Sequence, residues 1–403
     1  MIDNYTNSLS VEIDIKDDSS AYIVIDSTIN NTSSGGVRIM EDISIDEVKA
    51  LAREMTLKYS FMGLPRGGAK CGIKIPSGIS IEEKRKILEL FGRKIAPIIG
   101  RGVYYPGMDM NCGPEELRAI YRGAGITLGK ITDTSFFTAV SVANVIHVCG
   151  ETYQLKGQPI TVAIEGFGSV GSYLVKRLSE DDFRIAGVST IKGAVAKKEG
   201  FCVETLLKYR KAFGDNFVNK IPDARVIDKQ DLLTSNVDVL VPSARAWAIN
   251  MNNAEDIKAH FIVPIANAPY SDKSKGALHE RGVVCMPGFV CNSGGVYASS
   301  LFDNGVSMRV IERVSSVDFR RAVRALLQKS QDLNLSPVDV ATQIALQRFK
   351  NKKKEDNKTT IIEKAMEKAF RKGIFPKPIY GRLKLGQFKA DLLDLTKQIE
   401  SFR

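Results

Sequence analysis

The chain has 403 residues, 44% hydrophobic and 26% charged, enough for two ordinary domains of roughly 100–200 residues each and against a disordered or fibrous protein. It contains no apolar run of about 18 residues, and its opening MIDNYTNSLSVEIDIKDD lacks the blocks of a signal peptide, so a soluble, non-secreted, cytoplasmic protein is expected. The formal charge is +11, but residues 350–403 carry 15 Lys+Arg against 7 Asp+Glu while the rest has 42 against 39; a basic footprint confined to a tail speaks of that tail's contacts and makes nucleic acid a poor general partner.

From Val11 to Arg38 apolar and polar residues alternate between NN and SSGG, predicting short strands of a half-exposed sheet. Ser44 or Asp46 then caps a helix to Met62, with Val48, Leu51, Ala52, Met55 and Tyr59 at helical spacing. GLPRGGAKCGIKIP is too rich in Gly and Pro for a helix interior and reads as a turn leading into a strand at GIKI. A helix from about Ser80 to Ile99 follows, then a loop, RGVYYPGMDMNCGPEEL, in which Pro114-Glu115-Glu116 starts another helix.

Ser135 to Cys149 is again helical, and beyond KGQP the pattern turns to an apolar strand, Ile160 to Ile164, placing a domain boundary near residue 135. Arg184–Val188, Val237–Val241, Phe261–Ile265 and Val283–Met286 read as further strands. Helices are expected after Gly168, around Val203–Phe213 and after Asn253. Alternating β and α elements imply a parallel sheet covered on both faces. After Gly294-Gly295 the chain reads as helical to about residue 350, then as a solvated linker KNKKKEDNK and a short amphipathic helix IIEKAMEKAF.

Gly166-Phe167-Gly168-Ser169-Val170-Gly171 fits G-x-G-x-x-G directly after a strand and at a helix start, where a dinucleotide fingerprint must sit. Its glycines would make the tight turn, admit the pyrophosphate and let helix and strand pack, with the anion on the helix N-terminus. The acidic residue such folds carry about 20 residues on, at the adenosine ribose, is absent. The second strand ends Val188-Ser189-Thr190-Ile191-Lys192, whose lysine either accepts the 2′-phosphate of NADP or is a solvated turn residue. Lys58 and Lys70 stand twelve residues apart, the second inside a glycine-rich turn. Two ammonium groups brought close and buried depress each other's pKa, which suits a general base, although a lysine in a turn is more often solvated. Asp109, in Tyr105-Pro106-Gly107-Met108-Asp109-Met110, is equally open between chemistry and turn capping.

Taken together, SSGGVRIMEDISIDEVKALAREMTLKYSFMGLPRGGAKCGI, YYPGMDM, DTSFFTAVSV, VAIEGFGSVGSYLVKRL and IVPIANAPYSDKSKGALHERGVVCMPGFVCNSGGV resemble, in order, segments of the glutamate/leucine/phenylalanine/valine dehydrogenase family. The resemblance implies an α/β protein of two domains: an N-terminal α/β substrate and oligomerisation domain, residues 1–134, and a Rossmann-type, doubly wound NAD(P)-binding domain, residues 135–320. Helices 321–349 would return to the first domain, and 350–403 would form a basic tail. It implies oxidative deamination of an L-amino acid to its 2-oxo acid with NAD or NADP, in a homo-oligomer with substrate in the cleft.

By position, Lys58 would hold the substrate α-carboxylate, Lys70 would activate the water that attacks the imine, and Asp109 would shuttle protons to and from the nitrogen. Gly67 and Gly68 would let the backbone lie close to substrate. Gly166, Gly168, Ser169, Val170, Gly171, Thr190, Thr138 and Asn292 would serve the coenzyme. Ser34 stands where glutamate enzymes carry a lysine for the side-chain carboxylate, which disfavours glutamate, whereas Ser299 matches a serine those enzymes place on that same carboxylate. Cys71, Thr190 and Gly288 also depart from the family pattern. These substitutions motivate a second reading, a weakly active relative that acts as a dinucleotide-binding sensor or scaffold; against it, all three chemical residues are present. The six scattered cysteines include no C-x-x-C pair, which argues against a disulfide framework. His147 lies on an apolar helix face and reads as a packed, hydrogen-bonded residue, His260 and His279 lack partners at ligand spacing, and no metal site is proposed.

Overall fold

The computed structural model describes residues 8–153, 159–180, 183–355, 369 and 376–402. They divide into two compact units, Met1–Thr132 with Ala345–Met366 and Asp133–Ile344 with Glu367–Arg403.

In the first unit, strands β1 (Leu9–Lys16), β2 (Ser19–Ile25), β3 (Ser33–Ile39), β4 (Gly67–Lys74) and β5 (Tyr104–Met108) form one sheet in the order β1-β2-β4-β3-β5. β1, β2 and β4 pair antiparallel, while β4, β3 and β5 run parallel. Helix α1 (Ile45–Phe61) is capped by Ser44, whose hydroxyl accepts from the Glu47 amide, and it lies over one face with Val48 and Ala52 against Val24 and Ile43. Helices α2 (Ile81–Gly100) and α3 (Pro114–Gly123) cover the opposite face, where Leu88, Phe91, Ile95 and Ile120 meet Val37, Cys71 and Ile73.

Two local expectations are corrected here. The segment around Lys70 is a buried strand and not a turn. Added Cβ atoms on Gly67 and Gly68 would come within 2.1 Å of the Ser27 carbonyl oxygen and the Thr56 amide nitrogen, so the glycines serve close approach within a strand. The YYPGM stretch is likewise a strand and not a loop. It lies at the sheet edge, where a proline costs no ladder hydrogen bond.

In the second unit, α4 (Ser135–Thr152) precedes a seven-stranded sheet of order β12-β11-β10-β6-β7-β8-β9. β6 (Ile160–Glu165), β7 (Phe183–Thr190), β10 (Val239–Pro242), β11 (Phe261–Ile262) and β12 (Val284–Cys285) are parallel. β8 (Gly193–Ala196) and β9 (Arg225–Ile227) extend it antiparallel, correcting the all-parallel expectation. Gly193, with φ at 137°, returns the chain immediately after β7 as a hairpin. Helix α5 (Ser169–Leu178) follows β6, and α6 (Val203–Phe213) forms as expected. No helix forms after Asn253: residues 251–256 are turns, in which the Asn253 side chain bonds the Asn250 amide and the Ala248 carbonyl, so the backbone is held by an asparagine and not by a helical ladder.

Arg320–Leu333 belongs to this unit, where Arg320 donates to Asn144 at 2.6 Å and Arg324 pairs with Glu151 at 2.7 Å. A long helix, Pro337–Glu355, carries the chain back to the first unit from Ala345. That helix absorbs the start of the expected linker, Lys350 to Glu355; the expected helix over 361–370 lies outside the described residues apart from Ala369. The last helix, Lys377–Ser401, buries Tyr380, Phe388, Leu392, Leu395 and Ile399, and Phe388 stacks on Tyr297. No helix among the described residues is long and apolar enough to cross a membrane.

Candidate active site

Strand register builds the first unit's site. Side chains alternate along a strand, so Ser34, Gly36 and Arg38 of β3 share a face. Ser34 pairs with Gly68 on one side and Tyr105 on the other, so that face also carries Gly68, Lys70 and Gly72 of β4 and Tyr105 and Gly107 of β5, with Asp109 just beyond. This is the face under α1, because Gly68 approaches Thr56 and Gly72 approaches Val48. Ser27 locks the approach: its hydroxyl accepts from the Gly68 amide at 3.1 Å and meets the Thr56 hydroxyl at 2.8 Å. Lys58, on the last turn of α1, is 5% exposed, and Lys70 is 2% exposed.

Lys70 Nζ lies 2.8 Å from Asp109 Oδ2. Arg38 Nε donates to the same oxygen at 3.1 Å, and Arg38 Nη1 donates to Glu47 at 2.8 Å. Gly36 makes room for this, since a Cβ there would sit 2.7 Å from the Asp109 Cβ. Burial works against the Asp109 charge, yet the cations of Arg38 and Lys70 prevail and hold the carboxyl well below its usual range. Burial depresses the Lys70 ammonium, assisted by Arg38 and opposed by Asp109. Lys58 is lowered to about 8 by burial and then by the charge of Lys70, against Glu54 and Asp109. A buried amine that sheds its proton more readily than a free lysine, touching a fixed carboxylate, has the chemistry that a base and proton-relay pair requires. Ser34 lies at one end of this face, its hydroxyl donating to the Tyr105 carbonyl at 3.0 Å. Cys71 points to the opposite side, fully buried in the apolar core, with its thiol pushed up by burial.

In the second unit the Gly-rich turn has the shape a pyrophosphate requires. Gly166 takes φ at 93°, a Cβ on Gly171 would meet the Gly166 carbonyl oxygen at 3.2 Å, and Gly168 caps α5 with open space where its Cβ would be. Ser169 and Val170 begin the helix.

Comparison with known proteins identifies the family. Residues 6–124 match the family model for the Glu/Leu/Phe/Val dehydrogenase dimerisation domain, and residues 125–357 match that for glutamate/leucine/phenylalanine/valine dehydrogenase. The chain belongs to the glutamate/leucine/phenylalanine/valine dehydrogenase family. It is thereby one of the NAD(P)-dependent amino acid dehydrogenases acting on CH–NH2. It is 32% identical over 295 residues to the glutamate dehydrogenase of Thermotoga maritima, a match spanning 69% of this chain and 70% of that one. It is 32% identical over 281 residues to the NADP-specific glutamate dehydrogenase of Saccharolobus shibatae, covering 66% of each. In fold it is similar to the hetero-hexameric glutamate dehydrogenase of Thermus thermophilus in its leucine-bound form, with a TM-score of 0.73, 22% identity and coverage of 86% of this chain and 88% of that one. It also resembles the L-tryptophan dehydrogenase of Nostoc punctiforme, with a TM-score of 0.58, 20% identity and coverage of 85% and 96%.

Asn292 is buried behind the short helix Gly288–Cys291; its amide nitrogen donates to the Ile265 carbonyl at 2.8 Å and to Asn267 at 3.0 Å, while its Oδ1 has no described partner. A buried acceptor left without a donor costs stability. The Thr138 hydroxyl donates to the Thr134 carbonyl, and Gly295 leaves it room, since a Cβ there would stand 2.6 Å from Thr138 Oγ1. Thr190, at the end of β7, donates to the Asp215 carbonyl at 2.7 Å and accepts from the Lys192 amide at 3.1 Å, so its hydroxyl already holds the turn. Ser299 donates to the Val296 carbonyl one turn back in its helix. Arg38 and Glu47 were missed by reading motifs. The available signal was period two along SSGGVR, which puts the one cation of that strand on the face of Ser34 and Gly36.

Proposed function

We propose that this protein reversibly converts an L-amino acid other than glutamate, with water and NAD(P)+, to its 2-oxo acid, ammonium, the reduced coenzyme and a proton. The observation that carries the reading is the buried Lys70–Asp109 contact at 2.8 Å beside Lys58. Bound coenzyme supplies the two-electron acceptor for the hydrogen leaving Cα. Lys58, as ammonium, pairs with the substrate α-carboxylate. Lys70 takes a proton from the water that attacks the imine carbon, and Asp109 carries protons to and from the departing nitrogen. Gly67 and Gly68 leave no side chains to hold the substrate off β4.

Ser34 supports a substrate without a side-chain carboxylate, because an uncharged hydroxyl already donating to Tyr105 offers no counter-charge to a second buried anion. Ser299, the other position that the family resemblance ties to that carboxylate, is likewise an uncharged hydroxyl. The family spans relatives named for glutamate and for tryptophan, so a change at such a position is within its range. Gly166, Gly168, Ser169, Val170 and Gly171 would cradle the pyrophosphate, Thr138 and Asn292 would face the nicotinamide, and Thr190 would shape the adenosine ribose site. The working form is an oligomer of this chain, in keeping with the dimerisation-domain match and the hexameric relative. A reducing cytoplasm suits its six free thiols.

The test is a panel of L-amino acids with NAD and with NADP, followed by reduced-nicotinamide absorbance, and the reverse reaction with 2-oxo acids and ammonia. Turnover that Lys70→Ala abolishes, with coenzyme binding retained, is the expected result. Silence in both directions would refute it in favour of a relative that only binds; glutamate as best substrate would refute the specificity.

A further inference from the structure

Arg38 sits on an interior strand of the first unit's sheet, 3% exposed, and its strand neighbours on the opposite face are packed in the apolar core. A guanidinium taken out of water there is costly unless every direction it points in is answered. It is answered twice, by Asp109 through Nε and by Glu47 through Nη1. Glu47 is 4% exposed and comes from the first turn of α1, so it is itself fixed by the Ser44 cap that starts that helix. The result is a file of alternating charge, Glu47, Arg38, Asp109 and Lys70, drawn from α1, β3, the end of β5 and β4.

Both cations converge on one oxygen of Asp109. Lys70 cannot orient that carboxylate alone, because an ammonium on a four-carbon stem is a mobile point charge that must also release its proton. The guanidinium is a planar fork that stays charged throughout the working range, and its second arm is pinned by Glu47. We propose that Arg38, held by Glu47, is a positioning residue that clamps Oδ2 of Asp109 against Lys70 and so turns Oδ1 toward the substrate nitrogen. This rests on the proton-shuttle reading of Asp109. By supplying a permanent positive charge, Arg38 also keeps Asp109 ionised at rest while Lys70 changes protonation during turnover, so the two partners do not neutralise together.

The decisive comparison uses Arg38→Lys and the paired variant Arg38→Met/Glu47→Gln, the second chosen because it leaves no lone buried charge to unfold the unit. Expected for both is a kcat reduced about 10- to 100-fold, with coenzyme affinity unchanged. In the paired variant the acid limb of kcat/KM should move up, since the base Lys70 has lost the Arg38 charge that helps depress its ammonium. Arg38→Lys should keep much of that pH limb and still lose kcat, because charge is conserved and the fork is not. A folded paired variant with wild-type kcat and an unmoved acid limb would overturn the proposal. A carbon-13 carboxyl titration of Asp109 without substrate reads the loss of the same cation independently of turnover. A higher midpoint in the paired variant supports the clamp even if no amino acid is turned over, and an unchanged midpoint refutes it.

Discussion

Replacing Lys70 by methionine tests the chemistry with the least disturbance to packing, because the two side chains have similar length and Lys70 is buried. Three changes follow from the same geometry. The base disappears, so turnover should fall by about 10²- to 10⁴-fold, the usual contribution of a positioned general base. Asp109 loses one of its two cations but keeps Arg38 at 3.1 Å, so the stability cost should fall below the roughly 3–5 kcal/mol of a fully broken buried pair. Lys58 loses a like charge that helps hold it at about 8, so its ammonium should persist to higher pH. The sign is definite: Lys58 binds a carboxylate only while protonated, so in the wild type binding of an unreactive substrate analogue should weaken as pH rises through 8. In Lys70→Met that loss should begin later. Stopped-flow turnover, denaturant melts and analogue titration by coenzyme-independent calorimetry read the three separately. Turnover within tenfold of wild type, or an analogue-binding profile that does not move upward in pH, would refute the assignment of Lys70 as base and charge neighbour of Lys58.

Lys58→Met removes a desolvated ammonium whose pKa drops from 10.5 to about 8 on folding, so it should stabilise the chain by up to about 3 kcal/mol near pH 7. Because the folded-state pKa is lowered, the unfolded chain binds the extra proton and that advantage should shrink between pH 8 and 10.5, as paired melts would show. Gly168→Ala meets nothing within 4 Å; it should cost at most about 1 kcal/mol of stability and yet weaken coenzyme binding in a fluorescence titration, because the methyl group occupies the pyrophosphate's approach. Gly68→Ala has the opposite profile: its Cβ would press on the backbone of α1 at Thr56 and Ala52, costing about 1–3 kcal/mol in a denaturant melt and lowering turnover by shifting Lys58 against Lys70. Ser34→Lys should raise kcat/KM for glutamate relative to uncharged amino acids, and an unchanged ratio would remove Ser34 from the specificity pocket.

Local pattern made much of this protein readable. The helix over 45–61 follows from apolar spacing and a serine cap, and the dinucleotide turn follows from three glycines between an apolar run and an amphipathic one. Both are near-neighbour effects, decided within one or two turns of chain. The strand at Lys70 is hidden from local pattern for the same reason: glycines next to one another signal a turn, and only the arrival of Ser27 and Thr56 from distant sequence shows that they are there for contact. Asn253 likewise looks like a helix start until its side chain is seen bonding the turn around it.

Residue types left Lys70 and Asp109 open between chemistry and solvated or turn-capping roles, and it was the ordered resemblance to the family that singled them out together with Lys58. The register of β3 between β4 and β5 decided what those residues touch. Alternation along parallel strands puts Arg38 opposite Asp109, Gly36 leaves room between them, and α1 lays Glu47 and Lys58 over the same face. A pKa depends on burial and on charges a few ångströms away, and those neighbours lie as many as 71 residues apart in the chain; the order of motifs therefore names candidate groups, while their protonation state is set only when the sheet closes.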